Sequence, residues 1–180
     1  MTAIGGLVRG EKVYIGGDSA GVQSYQITVR RDEKVFLNGD ILVGCCGSFR
    51  MRDLLRHKFI APARSIREDL DVYMRTTFVD AVMRCFQEGK FAEMDKEVQR
   101  GGSFLVGIEG RLYHIEDDFQ IGEALAGYDA IGNADDVVLG SLFTTQRLDL
   151  PPQRCLELAL EAAESHTTDV RRPFHIIESL

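Results

Sequence analysis

The chain has 180 residues, of which 44% are hydrophobic and 27% charged, so it can bury one core but is too short for two ordinary domains. We therefore expect a single domain over residues 1–180. The formal net charge of −7 provides no basic stripe for phosphates, which argues against nucleic acid as a partner. No apolar run approaches the roughly 20 residues of a membrane helix, and no signal-peptide pattern is present, so we expect a cytoplasmic protein without membrane contact.

The first eighteen residues predict a β-hairpin. Two runs rich in Val, Ile and Leu, residues 3–9 and 12–19, flank a turn that contains glycine. Such a hairpin brings Asp18 back towards Thr2. If Met1 is removed, Thr2 carries a hydroxyl and a free α-amine on one residue. An amine with a pKa of about 8 can take the proton of that hydroxyl, so a nucleophile and its base come together.

Residues 20–100 predict strands, then two helices and a connection. Residues 20–33 indicate a loop and a short strand, and residues 34–37 and 41–46 indicate a second hairpin around Asn38-Gly39. Ser48 is a plausible N-cap for a helix over residues 48–60. Apolar residues at helical spacing predict a second helix over residues 67–87. Residues 90–100 are polar, so we expect an exposed connection there.

The rest of the chain repeats this order of strands and helices. The predicted elements are a third hairpin (103–108 and 111–115), a strand (128–131), a helix with Asp135 and Asp136 in its first turn, a helix opened by Pro151-Pro152, and a closing strand (173–177). Consecutive hairpins imply antiparallel sheets, and helices that arrive in pairs imply outer layers. The sequence therefore predicts an α+β fold, a four-layer α/β/β/α sandwich with two antiparallel sheets flanked by helix pairs.

Five short motifs occur along the chain in a fixed order: Thr2, Gly17-Asp18, Lys34-Val35-Phe36, Gly47-Ser48 and Ile131-Gly132-x-Ala134. None of them is specific alone, and the spacing of Asp18 and Lys34 after Thr2 is the informative feature. Over nearly the whole chain this order resembles a proteasome β-type subunit, and within that group the HslV-like peptidases, which are N-terminal-nucleophile (Ntn) hydrolases.

The resemblance implies a role for each of four residues. Thr2 would be the nucleophile, with its own α-amine as general base. Lys34 would stabilise negative charge on the Thr2 oxygen and depress the pKa of the amine, and Asp18 would hold Lys34 in place. Gly47 would donate its backbone N–H to the tetrahedral oxyanion.

By the same resemblance, four residues would contact substrate. Gly21 and Val22 would present backbone groups to an extended peptide, as in strand addition. Cys45 and Phe49 would flank a pocket for a substrate side chain, and that pocket is expected to be apolar.

Two regions depart from the family pattern. Asn133 stands where the family has a serine, and it could contact the terminal amine or Asp18, cap the following helix, or do both. Near the end of the last helix the family carries an aspartate that supports the amine. Here Glu164 and Thr168 are the candidates for that role.

Each candidate also has an ordinary structural interpretation. Asp18 could be a turn residue, Lys34 a solvated lysine at a strand edge, and Ser48 only a helix cap. His166, late in a helix, complements the helix dipole. The cysteines lack metal-ligand spacing, so we expect buried free thiols and neither a metal nor another cofactor; these are Cys45, Cys46, Cys85 and Cys155.

The leading functional hypothesis is a threonine peptidase that cleaves unfolded polypeptides inside a homo-oligomeric ring or barrel. The chain contains no phosphate-binding Gly-x-x-x-x-Gly-Lys-Ser/Thr motif, so an ATP-dependent unfoldase would be a separate protein. One alternative is a catalytically silent scaffold subunit of the same fold. Another is an amidase that acts on a small molecule without a closed chamber.

Overall fold

The computed structural model describes the backbone of residues 2–91, 93–95 and 98–180, and the side chains of residues 2–91 and 101–180. Its strands are β1 (Ile4–Arg9), β2 (Lys12–Gly17), β3 (Ala20–Gln23), β4 (Gln26–Val29), β5 (Val35–Asn38), β6 (Ile41–Cys45), β7 (Glu93–Asp95), β8 (Val98–Arg100), β9 (Phe104–Ile108), β10 (Arg111–Ile115), β11 (Ile121–Glu123), β12 (Tyr128–Ile131) and β13 (His175–Glu178). The helices are α1 (Phe49–His57), α2 (Leu70–Tyr73), α3 (Val79–Glu88), α4 (Asp135–Thr145) and α5 (Pro152–His166), with a π-helical stretch, Met74–Phe78, between α2 and α3.

Two antiparallel sheets form the centre of the fold, as the hairpins predict. The first sheet has the strand order β12-β1-β2-β13, and the second has the order β11-β10-β9-β6-β5. In the first sheet Ile4 lies opposite both Gly17 and Ile131, on its two neighbouring strands. The chain therefore enters this sheet between the ends of β2 and β12, which fixes the position of Thr2.

Three hydrophobic clusters show how the elements pack. One cluster holds side chains from both sheets, including Ile4 and Leu105, so the sheets pack directly against each other. A second joins α4 and α5 to the first sheet through residues such as Val138 and Leu160. The third joins α1, the helical segment over residues 70–88 and the second sheet. In the part of the chain that is described, no helix is long and apolar enough to cross a membrane.

Most predicted elements are confirmed, and the differences have local causes. Residues 20–33 contain two paired strands, β3 and β4, where only one was expected. The second helix begins at Leu70 because the Asp69 side chain accepts hydrogen bonds from the backbone N–H groups of Asp71 and Val72. Strand β11 was not predicted, since three residues are too few to show an alternation.

The connection over residues 90–100 differs from the prediction in part. Strands β7 and β8 lie within it and pair with each other antiparallel, where a polar connection was expected. We predicted that the side chains of this segment are exposed. Beyond its first two residues, those side chains lie outside the described part of the chain.

Candidate functional site

Thr2 lies just before β1, an inner strand of the first sheet, and a neighbouring turn approaches its backbone closely. The side chain of Thr2 is buried, and the turn between β12 and α4 passes next to it. Gly132 in this turn has a φ of +106°, and a Cβ there would lie only 2.2 Å from the Thr2 carbonyl oxygen. Only glycine allows this turn to approach Thr2 so closely.

Thr2, Asp18 and Lys34 form one buried cluster. The Lys34 Nζ donates to Thr2 Oγ1 at 2.9 Å and to Asp18 Oδ1 at 2.6 Å. The Lys34 and Asp18 side chains are 4% and 0% exposed. Asp18 follows β2 and Lys34 immediately precedes β5, so strands of the two packed sheets bring the cluster together.

Backbone donors fix the Asp18 carboxylate. Its Oδ1 accepts from the N–H of Ala3 at 3.1 Å, and its Oδ2 accepts from the N–H of Ala20 at 2.8 Å and of Arg171 at 3.4 Å. A carboxylate with this many donors keeps its orientation, so Lys34 meets a rigid acceptor. Asp18 is thus more than a turn residue.

Burial lowers the pKa of Lys34 below its ordinary value of 10.5, and the negative charge of Asp18 opposes this shift. The ammonium therefore has little water around it and acts in a medium of low dielectric. Its attraction for negative charge on the Thr2 oxygen is stronger there than at a solvated surface. The alternative interpretation of Lys34 as a solvated lysine at a strand edge is wrong.

Thr2 and Lys34 open onto a pocket. Its lining residues are Thr2, Val22, Lys34, Cys45, Cys46, Gly47, Ser48, Phe49 and Arg52. The predicted substrate residues Val22, Cys45 and Phe49 all lie in this wall. Gly21, the fourth, is adjacent, since a Cβ on it would lie 3.5 Å from the Phe49 ring. Gly47 has a φ of +85° and open space where a Cβ would stand, so its backbone is unobstructed on that side.

The pocket also contains a charge that the sequence did not reveal. The Arg52 side chain is 7% exposed and pairs with Asp32 and Asp53. Arg30 stacks on the pocket residue Phe49, with its guanidinium carbon 3.9 Å from the ring centroid. Burial raises the pKa of Asp32, but hydrogen bonds from Arg30 and Arg52 outweigh it and lower that pKa to about 2. The expectation of an apolar pocket is therefore wrong.

Arg52 could have been noticed from its position. It lies three residues after Phe49, on the face of α1 that carries the buried Met51 and Leu55. A charged residue on that face must find partners, but the sequence does not indicate that Asp32 is one of them.

The three candidates for support of the terminal amine either contact other residues or, within the described part of the chain, make no side-chain hydrogen bond. Asn133 is exposed, its side chain makes no hydrogen bond within the described residues, and the N-cap of α4 is Ala134. Glu164 accepts from the N–H of Arg172 and pairs with that side chain. Thr168 donates to Asp169. The interpretation of Asn133 as a helix cap is wrong.

The four cysteines are free thiols. Burial raises the pKa of the Cys46 thiol to about 11, against an opposing effect of the Lys34 charge. Burial also raises the pKa of Cys45. Thiols of this kind are poor nucleophiles at neutral pH. Within the described part of the chain, no three metal-ligating side chains lie close enough together to hold a metal ion.

No protein-family model matches the sequence, and no curated protein matches it. Solved structures do match its fold. BPH from Thiobacillus denitrificans, in complex with epoxomicin, is 14% identical with a TM-score of 0.82 and covers 98% of this chain and 97% of its own. HslV from Trypanosoma brucei is 16% identical, with a TM-score of 0.71 and 98% of both chains covered. Anbu, the ancestral beta-subunit from Yersinia bercovieri, is 15% identical with a TM-score of 0.65, over 99% of this chain and 81% of its own.

Proposed function

We propose, starting from a fold that this chain shares with HslV-like proteasome-type subunits, that the protein is a threonine-type peptidase subunit. Thr2, which becomes the N-terminal residue when Met1 is removed, is the nucleophile. The observation that carries this proposal is the 2.9 Å hydrogen bond from Lys34 Nζ to Thr2 Oγ1. Lys34 also donates to Asp18, and Thr2 and Lys34 both line a pocket.

The reaction runs in two steps. The Thr2 hydroxyl oxygen attacks the peptide carbonyl carbon while its proton passes to the α-amine of the same residue. The Lys34 ammonium stabilises the negative charge that develops on the attacking oxygen, and the Gly47 N–H donates to the carbonyl oxygen. The amine then protonates the leaving amide nitrogen, and a water molecule hydrolyses the ester that remains on Thr2.

Substrate recognition follows from the wall of the pocket. An extended peptide pairs with the backbone of Gly21 and Val22, which lie on β3 beside the site. Its side chain enters between Cys45 and Phe49. Because Arg52 lines the same pocket, a side chain with a hydrogen-bond acceptor at its tip is favoured over a basic one.

The assembly and its setting belong to the same proposal. The proposed architecture is the predicted four-layer order of α4 and α5, first sheet, second sheet, then α1 with the segment over residues 70–88, and the three hydrophobic clusters support it. The subunits form a homo-oligomeric ring that encloses the sites and admits unfolded polypeptide supplied by a separate ATP-dependent unfoldase. Four free cysteines suit a reducing compartment such as the cytoplasm.

Labelling with epoxomicin tests the nucleophile, since one fold neighbour holds this compound. We expect the protein to have lost one methionine by intact mass and to carry one adduct on Thr2. Thr2→Ala should remove the adduct, whereas Thr144→Ala, which deletes an exposed hydroxyl on α4, should not. Undiminished labelling of Thr2→Ala would show that the nucleophile lies elsewhere.

A catalytically silent scaffold subunit is the second candidate. It is supported by the exposure of Asn133 and by the pairing of Glu164 with Arg172, since a side chain that is solvated or already paired is less suited to support the terminal amine. This candidate predicts that Met1 is retained and that epoxomicin does not bind. Full-length protein as the only species in the mass spectrum would support it and contradict the peptidase.

A further inference from the structure

A second cluster of chemically active side chains lies outside the pocket of Thr2. The Ser103 Oγ is 2.8 Å from His114 Nε2, and the His114 Nδ1 is 3.1 Å from Asp129 Oδ2. Ser103 precedes β9, His114 lies in β10 and Asp129 in β12. The cluster therefore joins the second sheet to the edge strand of the first, and none of its members takes part in the proposed peptidase reaction.

The connectivity of this cluster is that of a Ser-His-Asp triad. An ionised carboxylate can only accept, so Asp129 selects the histidine tautomer that carries its proton on Nδ1. The lone pair on Nε2 is then directed at the Ser103 hydroxyl, as general-base catalysis requires. The other carboxylate oxygen, Oδ1 of Asp129, accepts from the backbone N–H of Ala130 at 2.8 Å, which fixes the orientation of the group.

The serine is reachable and its loop is held in place. Ser103 is partly exposed, and the side chains of His114 and Asp129 are each 22% exposed. The Ser103 carbonyl accepts from the N–H of Cys46 at 3.4 Å and from its Sγ at 3.5 Å. This contact sets the loop against the wall of the Thr2 pocket, because Cys46 lines that pocket.

Donors for an oxyanion are present beside the serine. Within the described residues, the backbone N–H groups of Gly102 and Ser103 donate to no other group. An N–H on the nucleophile itself and one on a neighbouring residue are the usual donors to the tetrahedral intermediate in serine hydrolases. The residue before Ser103 is a glycine, which leaves room for the buried Met51 side chain to pack against the loop, because a Cβ there would lie 2.7 Å from the Met51 sulfur.

We propose that Ser103, His114 and Asp129 form a second nucleophilic centre, which hydrolyses small esters. The Ser103 oxygen bonds to the ester carbonyl carbon and its proton moves to His114 Nε2. The carbon–oxygen bond to the alcohol breaks, and that proton leaves with the alcohol. Water then attacks the acyl-serine, its proton passes through His114 back to Ser103, and the carboxylic acid is released. A partly exposed loop fits small acyl groups, and an alkoxide leaves more readily than an amine.

Diisopropyl fluorophosphate tests this centre independently of the peptidase. The Thr2→Ala protein is used, so that the outcome does not depend on the proposed function. We expect one phosphoryl adduct, mapped by tandem mass spectrometry to Ser103, and slow hydrolysis of p-nitrophenyl acetate. Ser103→Ala should lose both. Ser165→Ala should keep both, since Ser165 is an exposed helical serine whose hydroxyl donates to the Glu161 carbonyl and, within the described residues, makes no hydrogen bond to a histidine.

Asp129→Asn separates a catalytic triad from a structural network. The amide selects the wrong histidine tautomer, so we expect the labelling rate to fall about 100-fold or more. The melting temperature of each variant establishes that it is folded, and if Ser103→Ala does not fold, the mapped adduct decides the question alone. Labelling of Ser103 no faster than of Ser165, or an unchanged rate in a folded Asp129→Asn, would overturn the proposal.

Discussion

At the scale of single residues, Lys34 carries two interactions on one ammonium group. It donates to Thr2 and to Asp18, and both contacts are buried. If Asp18 only neutralised a buried charge, Lys34 would not need to reach Thr2. A buried ion pair is weak evidence for stability, because its desolvation offsets its attraction. The contact with Thr2 therefore supports the catalytic role that we propose for the pair.

Lys34→Ala should abolish most of the activity, and it should also lower stability because it leaves the buried Asp18 carboxylate without its cation. Loss of the charged donor that stabilises negative charge on the attacking Thr2 oxygen should lower kcat by about 100-fold or more. In the unaltered protein, burial lowers the pKa of Lys34, so the ammonium loses its proton at a lower pH than an exposed lysine does. The alkaline limb of kcat/KM should thus lie below pH 10.5. A tenfold loss or less in the Lys34→Ala protein would remove Lys34 from the mechanism.

Gly132→Ala should destabilise the protein and displace Thr2. The φ of +106° strains any residue with a Cβ, and that atom would lie 2.2 Å from the Thr2 carbonyl. We expect a loss of about 1–3 kcal/mol in the free energy of unfolding, together with a lower rate of labelling at Thr2. Gly140→Ala is the matched control. It lies in α4 with open space around its Cβ position, so alanine there should stabilise by roughly 0.5–1 kcal/mol.

The approach of Asp18 to Thr2 could be predicted from the hairpin itself, whereas Lys34 was identified through the family resemblance, which rests on the spacing of both residues after Thr2. Thr2, Asp18 and Lys34 stand at strand ends, where a hairpin and its neighbour fix which residues meet. Arg52 could not be assigned in this way, since its partner Asp32 lies in a loop whose path depends on tertiary packing. Asn133 was misinterpreted because the helix begins one residue later than the composition suggests.

At the scale of elements, the stability of the first turn of α1 should affect the shape of the pocket. Its first turn carries Phe49 and Arg52, which line the pocket, and its N-cap is Ser48. The Ser48 Oγ accepts from the N–H groups of Arg50 at 3.1 Å and of Met51 at 3.3 Å. The cap therefore holds the part of the helix that shapes the substrate site.

Ser48→Ala should lower both stability and substrate affinity. Loss of an N-cap costs about 1 kcal/mol, which for a chain of this size lowers the melting temperature by about 2–4 °C. Because Phe49 and Arg52 then move more freely, KM should rise more than kcat falls. Ser165→Ala, at the exposed end of α5, serves as the control. Equal melting curves for the two variants would contradict the role of the cap.

The strands that the sequence did not reveal are short or fully exposed. Strand β11 has three residues, and in the strand pair over residues 20–33 all four residues of β4 are exposed, so neither shows an apolar alternation. By contrast, α5 was predicted with its inward face, because Leu156, Ala159, Leu160 and Ala163 recur at helical spacing and are buried. Periodicity reports burial on one face, and it fails where an element is all exposed or too short.

At the scale of the whole molecule, large apolar side chains remain exposed in one stretch. Ile60 and Ile66, in the segment between α1 and α2, are 84% and 95% exposed, and they line a groove together with Leu180. Tyr25, at the tip of the β3–β4 turn, is 102% exposed. Adjacent exposed aliphatic residues of this size are typical of protein–protein interfaces. They are the positions at which ring assembly, as proposed above, can be tested.

Sedimentation velocity tests the assembly directly. If the subunits form a ring, the protein should sediment as a particle several times heavier than the 20.1 kDa chain. Ile60→Asp with Ile66→Asp places two charges in a contact that must exclude water, and this should shift the particle towards the monomer. Ile66→Leu keeps the contact apolar and should leave the particle intact. If the double variant lost assembly and peptidase activity but kept its melting temperature as a monomer, then enclosure in the ring would be required for catalysis. A wild-type protein that sediments as a monomer and still cleaves unfolded polypeptide would contradict the chamber and favour an enzyme that acts alone.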